Sequence, residues 1–236
     1  MGISDHATTL DNFKGRARLF PLPNLVLFPH VVQPLHIFEP RYRQMMRECL
    51  LDDRVLAMAL VTTKHGSSFF GDPPLHPVIC VGKVFKEEIL PDGRINLLLH
   101  GVARGRILEE EDPEGKLYRS AKVELLDEIP PASSQTALEL RKLLSRSMAQ
   151  WFAPQPAALV QLRKLIKSEL TLGTLCDVFS FALPLEIEIK QGLLELVDVE
   201  TRANHLLEEI QKLDPPEPEI MQPMTRRKFP PDFSLN

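Results

Sequence analysis

L-F-P-L-P-N-L-V-L-F-P-H-V-V-Q-P-L-H-I-F-E-P-R-Y-R, residues Leu19 to Arg43, is apolar without being continuous. Prolines at 21, 23, 29, 34 and 40 divide it into pieces of a few residues. Proline has no N–H and a fixed φ, so it is costly inside a helix or a central ladder. The stretch is therefore neither one long helix nor a membrane span. It divides into two short strands, about 16–22 and 34–38, joined by an extended apolar crossing. It then turns into a helix with Pro40 at the first helical position, where the missing N–H is harmless.

Beyond it, Tyr42, Met45, Met46, Cys49 and Leu50 recur at helical spacing and form one core-facing stripe, with the helix ending near Leu51. Val55 to Val61 is wholly apolar and short, the pattern of a buried strand. Lys64 to Pro74, with two glycines and two prolines, is a loop. His76 to Ile89 is rich in β-formers. Pro91-Asp92-Gly93 is a turn signal that makes a hairpin of Val84–Leu90 and Arg94–Leu99. Gly101–Glu111 and Leu117–Ile129 read as two more strands about the turn Asp112-Pro113-Glu114-Gly115. Six or seven strands with a single helix point to a closed or half-closed barrel-like sheet, not a parallel α/β layer.

Pro130-Pro131 ends this texture and the next eighty residues are helical in character. Ser133 or Ser134 can cap a helix carrying Ala137, Leu140, Leu144, Met148 and Trp151 inward. Leu159, Leu162, Leu165 and Ile166 mark a second helix, and Thr171 caps a third. Pro184 stands where a fourth can start, weakened by Gly192, and Asp198 caps the last. From Asp214 the texture changes again, with six of the 21 prolines in the last 23 residues, the composition of an extended tail. The chain thus divides into a flexible N-terminal arm (1–15), a β-rich part (16–130), an α-helical bundle (131–213) and a Pro-rich disordered tail (214–236). The fold class is α+β.

The net charge of −4 is spread out. Residues 1–130 hold 16 Lys+Arg against 18 Asp+Glu, residues 131–213 hold 9 against 10, and the tail 3 against 4. No such span is strongly basic, which argues against a phosphate-backbone binder. Cys49, Cys80 and Cys176 are distant from one another and set in apolar surroundings, the pattern of buried free thiols in a reducing compartment. There is no basic start with an apolar run behind it, so no signal peptide is expected, and no apolar run reaches membrane-spanning length. The expected location is the cytoplasm.

Phe20-Pro21-Leu22-Pro23-Asn24, Leu27-Phe28-Pro29 and Pro34-Leu35-His36-Ile37-Phe38-Glu39-Pro40-Arg41-Tyr42-Arg43 together resemble the N-terminal, substrate-binding domain of Lon-type ATP-dependent proteases, a domain that also occurs alone. Further matches lie at Val81–Val84, Asp92–Leu99, Gly101–Ile107, and in the segments Ala182–Pro184, Lys190–Glu195 and Asp198–Arg202, so the resemblance covers about residues 16–213. It implies a six-stranded PUA-like pseudo-barrel with one helix, followed by a helical subdomain. It also implies a non-catalytic module that binds unfolded or extended polypeptide and acts as an adaptor or regulator of a protease. PUA-like barrels also serve as RNA or modified-nucleotide binders, and that is the alternative reading.

No catalytic signature accompanies the resemblance. Gly66–Gly71 is followed by Asp72-Pro73 where a phosphate loop needs Lys and Ser or Thr, and an acidic side chain there repels phosphate. G-x-S-x-G, H-E-x-x-H, C-x-x-C and G-x-G-x-x-G are all missing. Full-length Lon carries its Ser–Lys pair in another module, so no enzyme activity, cofactor or metal is expected. His30, His36 and His100 are read as hydrogen-bonded structural side chains. Two features stand out. Glu39, Arg41, Arg43 and Arg47 gather at a helix start, either as a rim that grips polypeptide or as staples to neighbouring turns, the latter favoured. Phe69-Phe70, between two glycines, forms either a mobile apolar contact or a pair folded onto the sheet. Both are candidate peptide-binding residues. The expected partners are unfolded or extended polypeptide, a AAA+ protease and a second copy in weak association, with neither membrane nor nucleic acid.

Overall fold

A computed structural model describes Leu10, residues 13–62 and residues 73–214. Phe69, Phe70 and the Pro-rich segment from 215 lie outside the described residues. Two compact units divide between Leu126 and Asp127. The first holds β1 (Arg16–Leu22), β2 (Val32–Ile37), α1 (Pro40–Leu51), β3 (Val55–Leu60), β4 (Val78–Ile89), β5 (Ile95–Glu110) and β6 (Ser120–Leu126). The second holds α2 (Ser134–Trp151), α3 (Pro156–Ile166), α4 (Leu172–Ala182), α5 (Ile187–Glu195) and α6 (Val199–Lys212). The α+β class expected from the sequence is the one observed.

In the first unit the strand order is β2-β5-β4-β3-β1-β6, with β5 pairing β6 as well. Only β1 and β3 run parallel; the other pairs are antiparallel. The pairings return on themselves because β5 is 16 residues long and serves three neighbours. Ile95–His100 pairs β2, Arg104–Glu110 pairs β6, and β4 follows it along most of its length. Register shifts at Val81/Gly82, Val84/Lys86 and Ile107/Glu109 bend the strands enough for this. The result is a pseudo-barrel, not a regular closed barrel. The sequence divides Arg94–Leu99 from Gly101–Glu111; in the structure they are one strand. Gly101 lets the proline-cut crossing lie directly on that strand: the His30 N–H donates to the Gly101 carbonyl (2.7 Å) and the Gly101 N–H to that of Val31 (2.8 Å). A Cβ at Gly101 would overlap the Phe28 carbonyl oxygen.

The prolines sit where the ladder tolerates them. Pro34 is on β2, which among the described residues has a strand neighbour only on its β5 side. Pro21 lies beyond Arg18, where β1 has left β6. Pro40 opens α1, whose Met45, Met46 and Cys49 are buried. The α1 to β3 turn is clamped by Arg18, which donates to Asp52 (2.7 Å) and Asp53 (2.8 Å). β3 is buried on both faces, as its unbroken apolar run requires. The core joins Leu19, Val55, Ala57, Ile79, Val81 and Val123, and Leu10 and Phe13 from the expected N-terminal arm pack against it.

In the helical unit Ser133, Thr171 and Asp198 each accept the N–H of the residue three further on. Of the two serines considered as the first cap, Ser133 is the cap. α5 begins at Ile187, three residues after Pro184. Leu183 is held extended before the proline, and Glu186 is still extended at the N-cap. All three cysteines are buried free thiols. Among the described residues no helix is long and apolar enough to cross a membrane, and no cluster of His, Cys, Asp and Glu could hold a metal ion.

Candidate functional site

The helix start that the sequence singles out borders two recesses. Glu39 is the N-cap of α1, without a side-chain capping bond. Arg41 turns back to it, Nε to Glu39 Oε2 3.3 Å, and holds its guanidinium 5.8 Å from the centre of the Tyr42 ring. Tyr42 packs edge-on against Phe20 (4.4 Å, 76°). Glu39, Arg41 and Tyr42 wall one side of a cleft of about 180 Å3. Pro21 and Pro23 at and just past the end of β1, Val61 after β3, Pro73, and Leu117, Tyr118 and Arg119 before β6 form the rest among the described residues.

The far wall is braced. Tyr118 donates its hydroxyl to Glu48 (2.5 Å), and burial together with that carboxylate pushes the phenol up to about 12. Arg119 makes two bonds to Glu110 (2.6 and 2.5 Å) and a third to the Pro73 carbonyl (2.7 Å). Every charged group among the described residues lining this cleft is thus already engaged. Among the described residues that line it, none pairs a nucleophile with a base; what they offer is shape and hydrogen bonds.

Arg43 and Arg47 face elsewhere. With Pro40, Gln44 and Leu117 they border a shallow recess of about 440 Å3. Arg43 is tied to the β4–β5 turn through the Asp92 carbonyl (3.2 Å) and is a staple of the kind the sequence favours, while Arg47 is exposed. The four residues therefore form two neighbouring pairs, not one rim. Leu117, between the recesses and 62% exposed, has no sequence signal beyond an apolar residue after a turn. The sequence reads Pro21 and Pro23 as breaks and motif residues, Tyr42 as part of a core-facing stripe and Tyr118 as part of a strand, none of them as cleft residues.

The second open feature is the outer edge of β2, which among the described residues carries no strand. Val32 at its start is partly exposed, and so is Phe38 just past its end. His36 is fixed by Asn96 (Nδ1 to Oδ1, 2.7 Å), whose amide in turn donates to Glu88 (3.1 Å). His30 is exposed at a positive φ of 65°. His100 is half-buried, and burial and the nearby His30 lower its pKa.

Comparison with known proteins decides the family. The model described as "ATP-dependent protease La (LON) substrate-binding domain" matches residues 16–212, nearly all of the described structure. The chain belongs to the Lon substrate-binding domain family. Lon proteases of Cytophaga hutchinsonii and Heliobacterium modesticaldum are 26% and 28% identical to it over 204 and 199 residues. These alignments take in 86% and 80% of this chain but 25% and 23% of those proteins, so the chain spans about a quarter of the curated relatives it matches. Two solved structures share the fold of this Lon-type domain. A Lon N-terminal domain protein from Xanthomonas campestris is 21% identical with a TM-score of 0.55, covering 82% of this chain and 97% of that one. The N-terminal domain of a Mycobacterium avium complex Lon protease is 16% identical with a TM-score of 0.65, covering 83% and 98%. The matched domain is the substrate-binding part of a protease, not a catalytic part, and supports a polypeptide-recognition role for this family member.

Proposed function

We propose that this Lon-type domain binds unfolded or extended polypeptide without cutting it and presents it to a AAA+ protease as an adaptor or regulator. The observation that carries the reading is the open edge of β2, whose chain runs on through Phe38 to Glu39 and Arg41 of the cleft. An extended segment can add to such an edge through main-chain hydrogen bonds, which are indifferent to sequence, while side pockets supply preference. Val32 and Phe38 flank that edge with apolar surface, and Arg41, held by Glu39 against the Tyr42 ring, stands just beyond its end. Nothing about this site needs a cofactor.

The test is fluorescence anisotropy of labelled, unfolded casein and of 12–15-residue extended peptides titrated with the intact protein. Saturable binding in the micromolar range is the expected result. Phe38→Asp and Arg41→Glu, both at exposed positions, should each weaken it several-fold while the circular dichroism spectrum is unchanged. No binding at high micromolar concentration by a folded sample would refute the reading. A salt-dependent shift of an RNA oligonucleotide in its place would favour the nucleotide alternative.

A further inference from the structure

Charge averaged over the helical half conceals a local extreme. Between Leu140 and Ser168 there are six Lys or Arg and no Asp or Glu, in a chain whose net charge is −4. This span is the greater part of α2 and all of α3. Arg141 is consumed internally, donating to the Leu170, Ile166 and Ser168 carbonyls at the end of α3. Lys142, Arg146, Arg163, Lys164 and Lys167 are exposed, and none makes an ion pair with a described carboxylate.

The same two helices, with α4, line an open hollow of about 510 Å3. Its walls are apolar, with Phe152 from α2, Leu165 from α3 and Val178 and Phe179 from α4, and its polar lining residues are Gln161 and Lys164. Leu143 and Val160 are half exposed on the same helices. An apolar hollow of this size accepts bulky side chains. Lys164 on its wall and the other exposed cations of the same two helices, none paired with a described carboxylate, decide what must surround those side chains, because like charges are repelled and opposite charges steered in.

We infer that the α2–α3–α4 cavity is a second polypeptide site, selective for segments that carry one or two bulky apolar side chains flanked by aspartate or glutamate. This rests on the polypeptide-recognition reading above and adds to it a place and a charge preference. A concave apolar hollow fits inserted side chains better than the flat surface of a bilayer. Of its two aromatic residues Phe179 is buried, which leaves no pair of exposed rings for bases to stack on.

The molecule carries its own reporter. The one tryptophan, Trp151, stands edge-on against Phe152 at 4.7 Å, so filling the cavity alters the surroundings of its ring. The test uses the full chain and three tryptophan-free, labelled peptides of equal length and equal leucine content, flanked by glutamate, by lysine or by serine. The glutamate peptide should bind at least tenfold tighter than the lysine peptide and shift Trp151 emission. Lys164→Glu, alone and with Arg163→Glu and Lys167→Glu, should abolish or invert that preference. Lys164→Gln should weaken it, and Ala158→Phe should block the emission shift. Equal binding of all three peptides, or tight binding with no emission shift, overturns the cavity assignment and leaves the general reading standing. Binding of none overturns both. Binding of phosphatidylserine vesicles or an RNA oligonucleotide in preference to the glutamate peptide, lost on the same charge reversal, overturns the choice of polypeptide as occupant.

Discussion

Arg202 has no exposed surface, and its charge is met from three directions. It pairs with Glu128, lies 3.5 Å from the equally buried Asp177, and donates to the Leu196 carbonyl (2.7 Å). Gly173 makes room for the cluster, since a Cβ there would sit 2.6 Å from Glu128 Oε2. Breaking a buried pair is costlier than never having had it, because the remaining ion keeps its desolvation penalty. Arg202→Met should therefore destabilise the helical unit by about 3–5 kcal/mol, and Arg202→Met with Asp177→Leu should recover much of the loss. Urea unfolding measures both; a single-variant loss below about 1 kcal/mol would contradict the assignment. Cys49 gives a pH dependence. Burial pushes its thiol from 9.0 up to about 12. The unfolded chain can ionise the thiol from about pH 9 whereas the folded chain cannot, so stability fully present below pH 9 drains away as the pH rises toward 12. Tyr118, raised from 10.0 to about 12, acts in the same direction. Unfolding midpoints between pH 8 and 11 should fall, and fall less steeply in Cys49→Ala.

Among elements, β5 does most to shape the first unit, and it is the one the sequence divides wrongly. The two halves differ in partner, β2 for one and β6 for the other, and no local pattern records which strands a bent strand will meet. What local pattern does record was legible: the Pro40 helix start, the buried β3 run, the Pro91-Asp92-Gly93 hairpin, and the caps Ser133, Thr171 and Asp198, each a matter of one residue and its neighbours. The candidate site was half legible. Glu39 and Arg41 are charged at a helix start and draw notice, but Leu117 and Tyr118 reach the cleft only through tertiary folding. The bend of β5 also makes a prediction. At Gly101→Ala the added methyl meets the Phe28 carbonyl and lies 3.0 Å from Cys80 Sγ, so the crossing must lift off the strand. The expected cost is about 1–3 kcal/mol or more, with faster hydrogen exchange at His30 and at position 101 itself, the two amides that join crossing and strand; wild-type exchange there would show that the crossing is not pinned by this contact.

At the scale of the molecule, the sequence window decides what charge reveals. Summed over residues 131–213 the charges nearly cancel, yet six of the nine cations fall before Ser168 and nine of the ten carboxylates after it. Such segregation gives a protein a direction in which it is approached, and it is invisible to a net charge. On the proposed reading the two surfaces divide the work chemically: the β2 edge would give main-chain pairing with little charge preference, and the helical cavity apolar anchoring with a strong one. If the chain holds polypeptide for another molecule to cut, holding and cutting should separate in solution. Incubated with unfolded casein and ATP, the 236-residue chain should form a complex yet release no fragments. Adding a AAA+ protease from the same cell should start fragment release at a rate that depends on this chain's concentration and responds to Phe38→Asp. Gel electrophoresis over time with mass spectrometry of new N-termini distinguishes the cases. Fragments formed by the chain alone would make it an enzyme, and a protease rate indifferent to its concentration would leave it a binder with no part in presenting what it holds.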